Sequence, residues 1–505
     1  MAAQSIAFRV DASSKIGTGH FMRCLTLADA LKLRGARIRF VSRHLPEYLR
    51  NMLNTRGYDF APLSGIPGEK TADDCSYAHW LGVSQSQDAT DTSQALSDQA
   101  WDWLIVDHYA LDARWETVLR KAAKSILVID DIANRQHDSD VLLDQNFYAD
   151  MDVRYTGKVP KHCQLLLGPR YALLRDEFRR VREQVKPRKG PVKRVLVFFG
   201  GVDPGNYTSR AVEALANIAD SGLHVDVVIG AQHPCRELIE TACAEHDFIC
   251  HVQTNRMAEL MAAADLAIGA GGSATWERCC LGLPALAICT ADNQQKLVAD
   301  AACEGLLYTP EVKGDLTQTI QRHAGSLIEN SYLRQFISRN GTQAVDGCGV
   351  LRVIGNLGCS GIDIRTARHE DSEKLFEWRN HPIVRAVSRS TELISWEGHQ
   401  KWFSSVLASS DRLLLIGQNE GMPVGVVRFD IQGDEAEVSI YLIPEIKKSV
   451  RGQDLLRSAE RWLVVNRPKI SKIRAHVLEN NERSQRLFSG AGYQVESINY
   501  LKRFC

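Results

Sequence analysis

The chain has 505 residues, which is too long for one ordinary domain and suggests about three domains of ~150 residues each. Its 61 basic and 61 acidic residues balance, so no overall positive charge would attract nucleic acid or an anionic membrane. Hydrophobic residues make up 44% of the chain, which is enough for well-packed cores.

No segment reaches the roughly 20 consecutive apolar residues that span a bilayer, and no secretory leader pattern precedes the first predicted strand. Cys279 and Cys280 are adjacent, and no C-x-x-C pair occurs among the 13 cysteines, so neither a disulfide framework nor a zinc site is indicated. We interpret the cysteines as reduced thiols of a cytoplasmic protein, with no membrane or nucleic-acid partner.

Short strands and amphipathic helices alternate from the start of the chain. Ser5–Val10 is a predicted strand, and a glycine-rich turn over Asp11–Gly19 leads into a helix that ends at Gly35. Further apolar runs predict buried parallel strands at Ile38–Val41, Trp103–Val106, Ile126–Ile129 and Leu165–Leu167. This pattern is typical of an α/β domain, to which we assign residues 1–185.

The basic, proline-containing stretch Gln184–Lys193 has no apolar periodicity and is interpreted as a linker. The alternation then begins again. Strands are predicted at Val195–Phe199, Val225–Ile229, Leu266–Ile268 and Ala285–Ile288. A second α/β domain is therefore predicted over residues 192–350.

The glycine-rich stretch Val345–Gly361 separates this pair from a third region, residues 361–505, with a different pattern. Predicted strands at Ile362–Thr366, Leu413–Ile416, Val424–Phe429 and Glu437–Leu442 follow one another as in an antiparallel sheet. Helices are predicted at Leu455–Val465 and Glu482–Ser489. The third region is therefore expected to be a mixed α+β domain.

Gly17, Thr18 and Gly19 lie between the first strand and its helix, and His20 opens that helix. Glycines allow backbone amides to approach an anion at a helix N-terminus, and an imidazole there can act as a general base on water. A glycine-rich turn with a surface histidine is the alternative from spacing alone.

The second domain has two comparable loops. Gly200 and Gly201 follow a predicted strand, as they would in a diphosphate cradle or in a simple tight turn. Gly272 and Ser273 follow the strand at Leu266–Ile268, with Glu277 one helical turn later. Asn293 and Gln294 follow the next strand, at the edge of an open α/β sheet where ligands bind.

The loop Gly269–Glu277 and the following Asn293-Gln294 resemble the UDP-sugar site of GT-B glycosyltransferases. Together with Gly17–Arg23, Val106–Tyr109 and Gly168–Arg175, they resemble more closely the UDP-2,4-diacetamido-2,4,6-trideoxy-β-L-altropyranose hydrolases of pseudaminic acid biosynthesis. The resemblance covers nearly all of residues 5–340 and implies a GT-B-like pair of Rossmann-type domains.

This resemblance implies hydrolysis at the anomeric carbon with inversion and release of UDP. It makes His20 the base that activates water, with Tyr109 and Asn293 placing the water or the sugar. The implied UDP-sugar ligands are Gly19, Arg23, Gly200, Gly201, Gly272, Ser273, Glu277 and Gln294. A helix-surface salt bridge is an alternative for Arg23, and loop capping is expected for Asp130 and Asp131. No metal is expected, so helix N-termini would neutralise the leaving UDP.

The third region resembles the GNAT acyltransferases. Ala436–Leu442 is similar to their central strand, and Val477–Phe488 with Gly492-Tyr493 is similar to their late strand–helix–strand. The resemblance implies acetyl-CoA as co-substrate, with Glu437 as a base for a sugar ammonium. Its implied acetyl-CoA ligands are Ile440, Leu442, Arg451, Gly452, Asn480 and Ser484. A surface carboxylate is the alternative interpretation of Glu437.

Two departures from the GNAT pattern stand out. The pyrophosphate loop at Lys447–Asp454 retains one glycine of the usual motif, and Phe488 stands where many members have a tyrosine acid. Proton return to the CoA thiolate would then need Tyr493, another residue or water.

The resemblances together predict a bifunctional enzyme. It would acetylate N4 of a UDP-4-amino-4,6-dideoxy sugar with acetyl-CoA, then hydrolyse the product to UDP and free sugar. Two alternatives remain: a UDP-sugar glycosyltransferase, and a third domain that binds CoA or sugar nucleotide without catalysis.

Overall fold

The computed structural model describes residues 4–13, 16–64, 77–185, 187–218, 222–358, 362–388, 391–419, 421–444, 452–478 and 481–496. The chain forms two compact units, Met1–Leu357 and Gly358–Cys505. The first unit holds two parallel sheets, and the second holds one mixed sheet.

The first sheet begins the N-terminal unit. Its strands are β1 (Ser5–Val10), β2 (Arg37–Ser42), β3 (Asp59–Pro62), β4 (Trp101–Asp107), β5 (Ala123–Ile129), β6 (Val141–Asp144) and β7 (Gln164–Leu167). Its helices are α1 (Gly19–Leu33), α2 (Glu47–Thr55), α3 (Ala78–Leu81), α4 (Gln85–Ala95), α5 (Ala113–Leu119) and α6 (Asp176–Arg182). The order β3-β2-β1-β4-β5-β6-β7 is that of a Rossmann-type sheet, and its paired strands run parallel.

The second sheet follows in the same unit. Its strands are β8 (Arg194–Phe198), β9 (His224–Ile229), β10 (Ile249–Val252), β11 (Leu266–Ala270) and β12 (Ala285–Ile288), in the order β10-β9-β8-β11-β12. Its helices are α7 (Tyr207–Ala216), α8 (Arg236–Glu245), α9 (Met257–Ala263), α10 (Ala274–Cys280), α11 (Gln295–Cys303), α12 (Leu316–Glu329) and α13 (Ser331–Ala344).

The helix α14 (Gly349–Asn356) returns from the second sheet to the first. Trp103 Nε1 donates to the carbonyl oxygen of Leu357 at 3.0 Å, and Arg352 Nη1 donates to that of Arg170 at 2.7 Å. The end of the second half is thereby anchored on the first. Two Rossmann-type halves joined in this way confirm the predicted GT-B-like fold.

The C-terminal unit has a five-stranded sheet in chain order. Its strands are β13 (Asp363–Thr366), β14 (Arg412–Asn419), β15 (Met422–Gln432), β16 (Glu435–Leu442) and β17 (Lys472–Ala475). Its helices are α15 (Ser372–Asn380), α16 (Pro382–Arg385), α17 (Trp396–Leu407), α18 (Gly452–Asn466) and α19 (Glu482–Gly490). The first four strands are antiparallel, and β17 joins β16 in parallel.

Two apolar clusters cover the faces of this sheet. One packs Val427, Phe429 and Val438 against Leu455 and Leu456 of α18. The other packs Val426 and Tyr441 against α15 and α17. Because side chains alternate along a strand, consecutive residues of β15 and β16 belong to opposite faces.

Candidate functional site

The first sheet has its topological switch between β1 and β4, which are neighbours although β2 and β3 separate them in the chain. The loop after β1 leads to His20 at the start of α1, and β4 ends at Asp107, two residues before Tyr109. The loops that follow two such strands diverge and leave a crevice at their carboxyl ends. This topology brings His20, Asp107 and Tyr109 together.

His20 and Asp107 form a close pair. His20 Nδ1 lies 2.5 Å from Asp107 Oδ1, with 11% of the His20 side chain exposed and none of the Asp107 side chain. Burial acts to raise the pKa of Asp107, but the Arg23 and His20 charges outweigh it and hold that pKa well below its usual range. An ionised Asp107 accepts a hydrogen bond from an Nδ1 that carries the proton. In a neutral imidazole, Nε2 is then a hydrogen-bond acceptor. Within the described part of the chain, Nε2 has no hydrogen-bond partner.

Arg23 is held between two carboxylates. Its Nε donates to Asp107 Oδ2 at 2.6 Å, and its Nη1 donates to Asp131 Oδ2 at 2.9 Å. Only 10% of the side chain is exposed. These ion pairs agree with the salt-bridge alternative for Arg23, except that the side chain is buried and not on a helix surface, and the expected phosphate contact stays a prediction. Arg23 contacts the same two carboxylates that hold His20 and Tyr109.

Tyr109 donates its phenolic hydrogen bond to Asp131 Oδ1. Burial and the Asp131 charge raise the pKa of Tyr109 well above its usual range, so the phenol remains protonated. Asp131 is thus part of the site, contrary to the capping role expected for it. Asp130 does cap its loop, since its Oδ2 accepts from the Ala133 amide at 2.9 Å.

An aromatic wall adjoins His20. The rings of His20 and Tyr109 meet edge to face with centroids 4.6 Å apart, and Trp80 stacks on Tyr109 at 5.5 Å. Tyr77 contacts both Trp80 and Tyr109. Aromatic faces of this kind pack well against the apolar faces of sugar rings and methyl groups.

The switch of the second sheet lies between β8 and β11. After β11, Gly272 is followed by the exposed Ser273, which is the N-cap residue of α10. A Cβ atom at Gly272 would lie 3.5 Å from Gln294 Nε2, so Gly272 and Gln294 are neighbours at this edge. Asn293 lies in the turn Asp292–Gln294, and its side chain is outside the described part. The structure thus brings the Gly272 backbone and the Gln294 carboxamide together, while their expected contact with UDP stays a prediction.

Glu277 lies one turn into α10, with 20% of its side chain exposed and Oε1 3.6 Å from Arg175 Nη2. Burial raises the pKa of Glu277, and the Arg175 charge opposes this shift. A carboxylate placed here can accept hydrogen bonds from ribose hydroxyls, as the resemblance implies.

Gly200 and Gly201 form the tight turn after β8. Gly200 has φ of +106°, and Gly201 accepts a hydrogen bond from the Gly230 amide at 3.0 Å. A Cβ atom at Gly230 would lie 2.3 Å from the Gly201 oxygen. The positive φ accounts for Gly200, and close backbone packing accounts for Gly230, while the expected contact of Gly200 and Gly201 with UDP stays a prediction.

A buried hydrogen-bond chain connects the two halves of the N-terminal unit. Asn146 Nδ2 donates to Asp131 Oδ2 at 3.3 Å, and Trp276 Nε1 of α10 donates to Asn146 Oδ1 at 2.9 Å. The carboxylate that holds Arg23 and Tyr109 is thereby tied to the helix that carries Glu277. Sequence reasoning missed Asn146 and Trp276, because nothing in their local patterns links two residues that are 130 positions apart.

In the C-terminal unit, β16 separates from β17 partway along its length. Glu435–Val438 pair with Lys472–Ala475, whereas Ile440 and Leu442 continue to pair only with β15 among the described residues. The β17-facing edge of this segment is therefore open to another extended backbone. That is where the resemblance places pantetheine.

The remaining acetyl-CoA residues lie in the first turns of α18 and α19 or outside the described residues. Gly452 begins α18, where a Cβ atom would lie 2.8 Å from Leu487 Cδ1 of α19. The Ser484 amide donates to Asn481 Oδ1 at 3.1 Å, which caps α19. Arg451 and Asn480 lie outside the described residues, as does most of the expected pyrophosphate loop.

Glu437 is exposed on β16, on the face opposite Ala436 and Val438. Phe488 is buried in the α18-side core and meets Tyr493 edge to face at 5.0 Å. The Tyr493 hydroxyl donates to Glu460 Oε1 at 2.7 Å, and burial together with Glu460 raises the pKa of Tyr493 above its usual range. The Tyr493 hydroxyl thus already donates to an internal partner, which disfavours Tyr493 as the proton donor to the CoA thiolate.

Among the described residues, no group of three or more His, Cys, Asp or Glu side chains could hold a metal ion. The same part of the chain has no helix that is long and apolar enough to cross a membrane.

A comparison with known protein families assigns the C-terminal unit to a domain family. Residues 362–494 match the acetyltransferase (GNAT) domain family, so the C-terminal unit contains a GNAT domain and acetyl-CoA is its implied co-substrate.

Three curated relatives cover different parts of the chain. An uncharacterized protein, MJ1062, of Methanocaldococcus jannaschii is 23% identical over 97% of this chain and 96% of its own length. The UDP-2,4-diacetamido-2,4,6-trideoxy-beta-L-altropyranose hydrolase of Campylobacter jejuni is 24% identical over 61% of this chain and 99% of its own. Acetyltransferase PseH, also of Campylobacter jejuni, is 27% identical over 24% of this chain and 74% of its own. The chain is thus similar to a sugar-nucleotide enzyme and to an acetyltransferase at once.

Proposed function

We propose that this chain catalyses two consecutive steps of nonulosonic acid precursor synthesis. The C-terminal unit transfers an acetyl group from acetyl-CoA to N4 of a UDP-4-amino-4,6-dideoxy sugar. The N-terminal unit then hydrolyses the acetylated product to UDP and free sugar, with inversion at the anomeric carbon. The pseudaminic acid precursor, the substrate named for the hydrolase relative, is the expected sugar.

The observation that carries the hydrolytic step is the His20–Asp107 pair at the switch of the first sheet. In the proposed mechanism, His20 Nε2 accepts a proton from water as the water attacks the anomeric carbon, and Asp107 stabilises the resulting imidazolium. Tyr109 and Asn293 orient the water or the sugar. The amides at Gly272 and Ser273 and the N-terminus of α10 stabilise the leaving UDP, with Gln294 and Glu277 on the diphosphate and ribose.

The open edge of β16 supports the acetyl-transfer step. Ile440 and Leu442 would offer backbone groups to pantetheine, and Glu437 would accept the proton of the sugar ammonium, directly or through water. The amine attacks the thioester carbonyl and the CoA thiolate leaves, with its proton supplied by a group other than Phe488.

A product assay on the full chain tests both steps. The substrate is UDP-4-amino-4,6-dideoxy-N-acetylaltrosamine, supplied with and without acetyl-CoA, and UDP and CoA are followed by mass spectrometry. We expect CoA to appear first and UDP release to depend on acetyl-CoA. Hydrolysis of pre-acetylated substrate without CoA formation would reduce the C-terminal unit to a binding module. UDP release only with an added sugar acceptor would instead identify a glycosyltransferase.

A further inference from the structure

Arg278 places a buried guanidinium group at the loop that joins β11 to α10. Only 3% of the residue is exposed. Its Nη2 donates to the Ala270 carbonyl oxygen at 2.6 Å and to Thr275 Oγ1 at 3.0 Å. Ala270 ends β11 and Thr275 lies in the first turn of α10, so the guanidinium group bridges the two ends of the loop that contains Gly272.

No carboxylate neutralises this group. Within the described part of the chain Arg278 forms no ion pair, whereas the similarly buried Arg9 forms two. The Nε of Arg278 is buried without a hydrogen-bond partner, and its two hydrogen bonds to described residues both come from Nη2. Burial lowers the pKa of Arg278 to about 10 against the opposing effects of Cys279 and Glu277, so the group is charged at neutral pH. A buried cation with unused donors is unfavourable, and an anion beside it would relieve this cost.

The charge lies at the switch point of the second sheet. A Cβ atom at Gly269 would lie 3.1 Å from Arg278 Nη1 and 2.1 Å from the Phe198 carbonyl oxygen. Gly269 and Phe198 are the last residues that pair between β11 and β8. Gly200 comes two residues after Phe198, and Gly272 comes three after Gly269. Ligands of open α/β sheets bind between the loops at such a point, so an anion between these two glycine loops would lie beside the guanidinium group.

We propose that Arg278 binds the diphosphate of the UDP-sugar through Nη1 and stabilises the negative charge of UDP as it leaves. This inference rests on the proposed cleavage of a UDP-sugar in the N-terminal unit. A guanidinium group suits this role because Nη1 can donate to a phosphate oxygen while Nη2 stays bonded to the loop. A fixed charge that is shielded from water also acts more strongly on a developing anion than an exposed one.

The test measures the binding of UDP and of uridine to the full chain by isothermal titration calorimetry. R278Q removes the charge but keeps a hydrogen-bond donor, and R278M is a second neutral variant that fills the space with an apolar side chain. R256Q alters an exposed arginine of the same half and is the matched control. We expect Kd for UDP to rise about tenfold or more in both neutral variants and to stay unchanged in R256Q. Kd for uridine should not change, because uridine carries no phosphate.

Wild-type UDP affinity in a neutral variant would overturn the proposal. Equal losses for UDP and uridine would also overturn it, because they indicate that the side chain only supports the loop. R278K keeps the charge and should lose less UDP affinity than R278Q does.

Inorganic pyrophosphate separates this inference from the proposed function. Suppose that the wild-type chain binds pyrophosphate, that R278Q binds it more weakly, and that neither protein releases UDP from the acetylated sugar. That result would retain the anion site and reject the hydrolysis. A wild-type chain that binds neither UDP nor pyrophosphate would reject the anion site.

Discussion

At the scale of single residues, Asp107 determines what His20 can do. Its carboxylate pairs with Nδ1 and is itself held by Arg23, so Nε2 is the nitrogen left available to water. D107N removes the charge that stabilises an imidazolium and can present an amide proton to Nδ1 instead. We expect UDP release from the acetylated substrate to fall about a hundredfold or more, while acetyl transfer is unchanged. Steady-state rates of both products measure this, and near wild-type UDP release would contradict the assigned base.

Asp144 provides a residue-scale test of pH dependence. Burial and the Asp131 charge raise the pKa of Asp144 to about 8. Because the unfolded chain releases this proton near pH 4, the folded state holds it more tightly from about pH 4 to pH 8. The contribution of Asp144 to the free energy of unfolding is therefore present at low pH and is lost as the pH rises toward 8.

The variant D144N should lose this dependence, because an amide does not ionise. We expect the Tm of D144N, relative to the Tm of the wild type, to be higher at pH 7.5 than at pH 5. D152N alters an exposed aspartate and is the matched control. Thermal unfolding followed by far-UV circular dichroism measures all three proteins, and parallel curves for D144N and the wild type would contradict the raised pKa.

At the scale of elements, the loop between β11 and α10 holds two adjacent glycines with different surroundings. A Cβ atom at Gly271 would lie 2.1 Å from Cγ2 of the buried Val298, whereas one at Gly272 would meet only Gln294 Nε2 at 3.5 Å. We expect G271A to destabilise the fold by about 1–3 kcal/mol through overpacking. G272A should retain wild-type Tm but bind UDP about tenfold more weakly, because its methyl group occupies the amide cradle. Equal Tm losses in both variants, or unchanged UDP affinity in G272A, would remove this loop from the proposed site.

The same scale shows what the sequence could predict. Apolar runs bounded by polar turns identified the central strands β1, β4, β8 and β11, because strands buried on both faces are nearly uniformly apolar. The edge strand β3 was missed, since its four residues are partly exposed and end in a proline. The inner strand β6 was missed as well, although its four residues are all buried. The glycine loops were found because they follow central strands. The partners of Arg23 were not, because Asp107 and Asp131 lie 84 and 108 residues away, and only the strand order brings them near.

At the scale of the whole molecule, the two reactions are assigned to separate compact units, each with its own core and its own candidate site. A variant of one site should therefore leave the other working. H20A should abolish UDP release but allow CoA formation. E437Q should lower CoA formation, yet release UDP from pre-acetylated substrate at the wild-type rate.

Mixing these two variants tests whether the units act independently. The acetylated UDP-sugar is a stable, soluble intermediate, so it can leave an H20A chain and be hydrolysed by an E437Q chain. We expect an equimolar mixture to convert the amino sugar to UDP and free acetylated sugar, with a lag that shortens as the E437Q concentration rises. H20A alone should accumulate the acetylated UDP-sugar. In a control mixture, the double variant H20A/E437Q takes the place of E437Q, and raising its concentration should not shorten the lag before UDP release. If the mixture accumulates the intermediate without releasing UDP, hydrolysis requires an acetyl-transfer site in the same chain, and the two units are not independent enzymes.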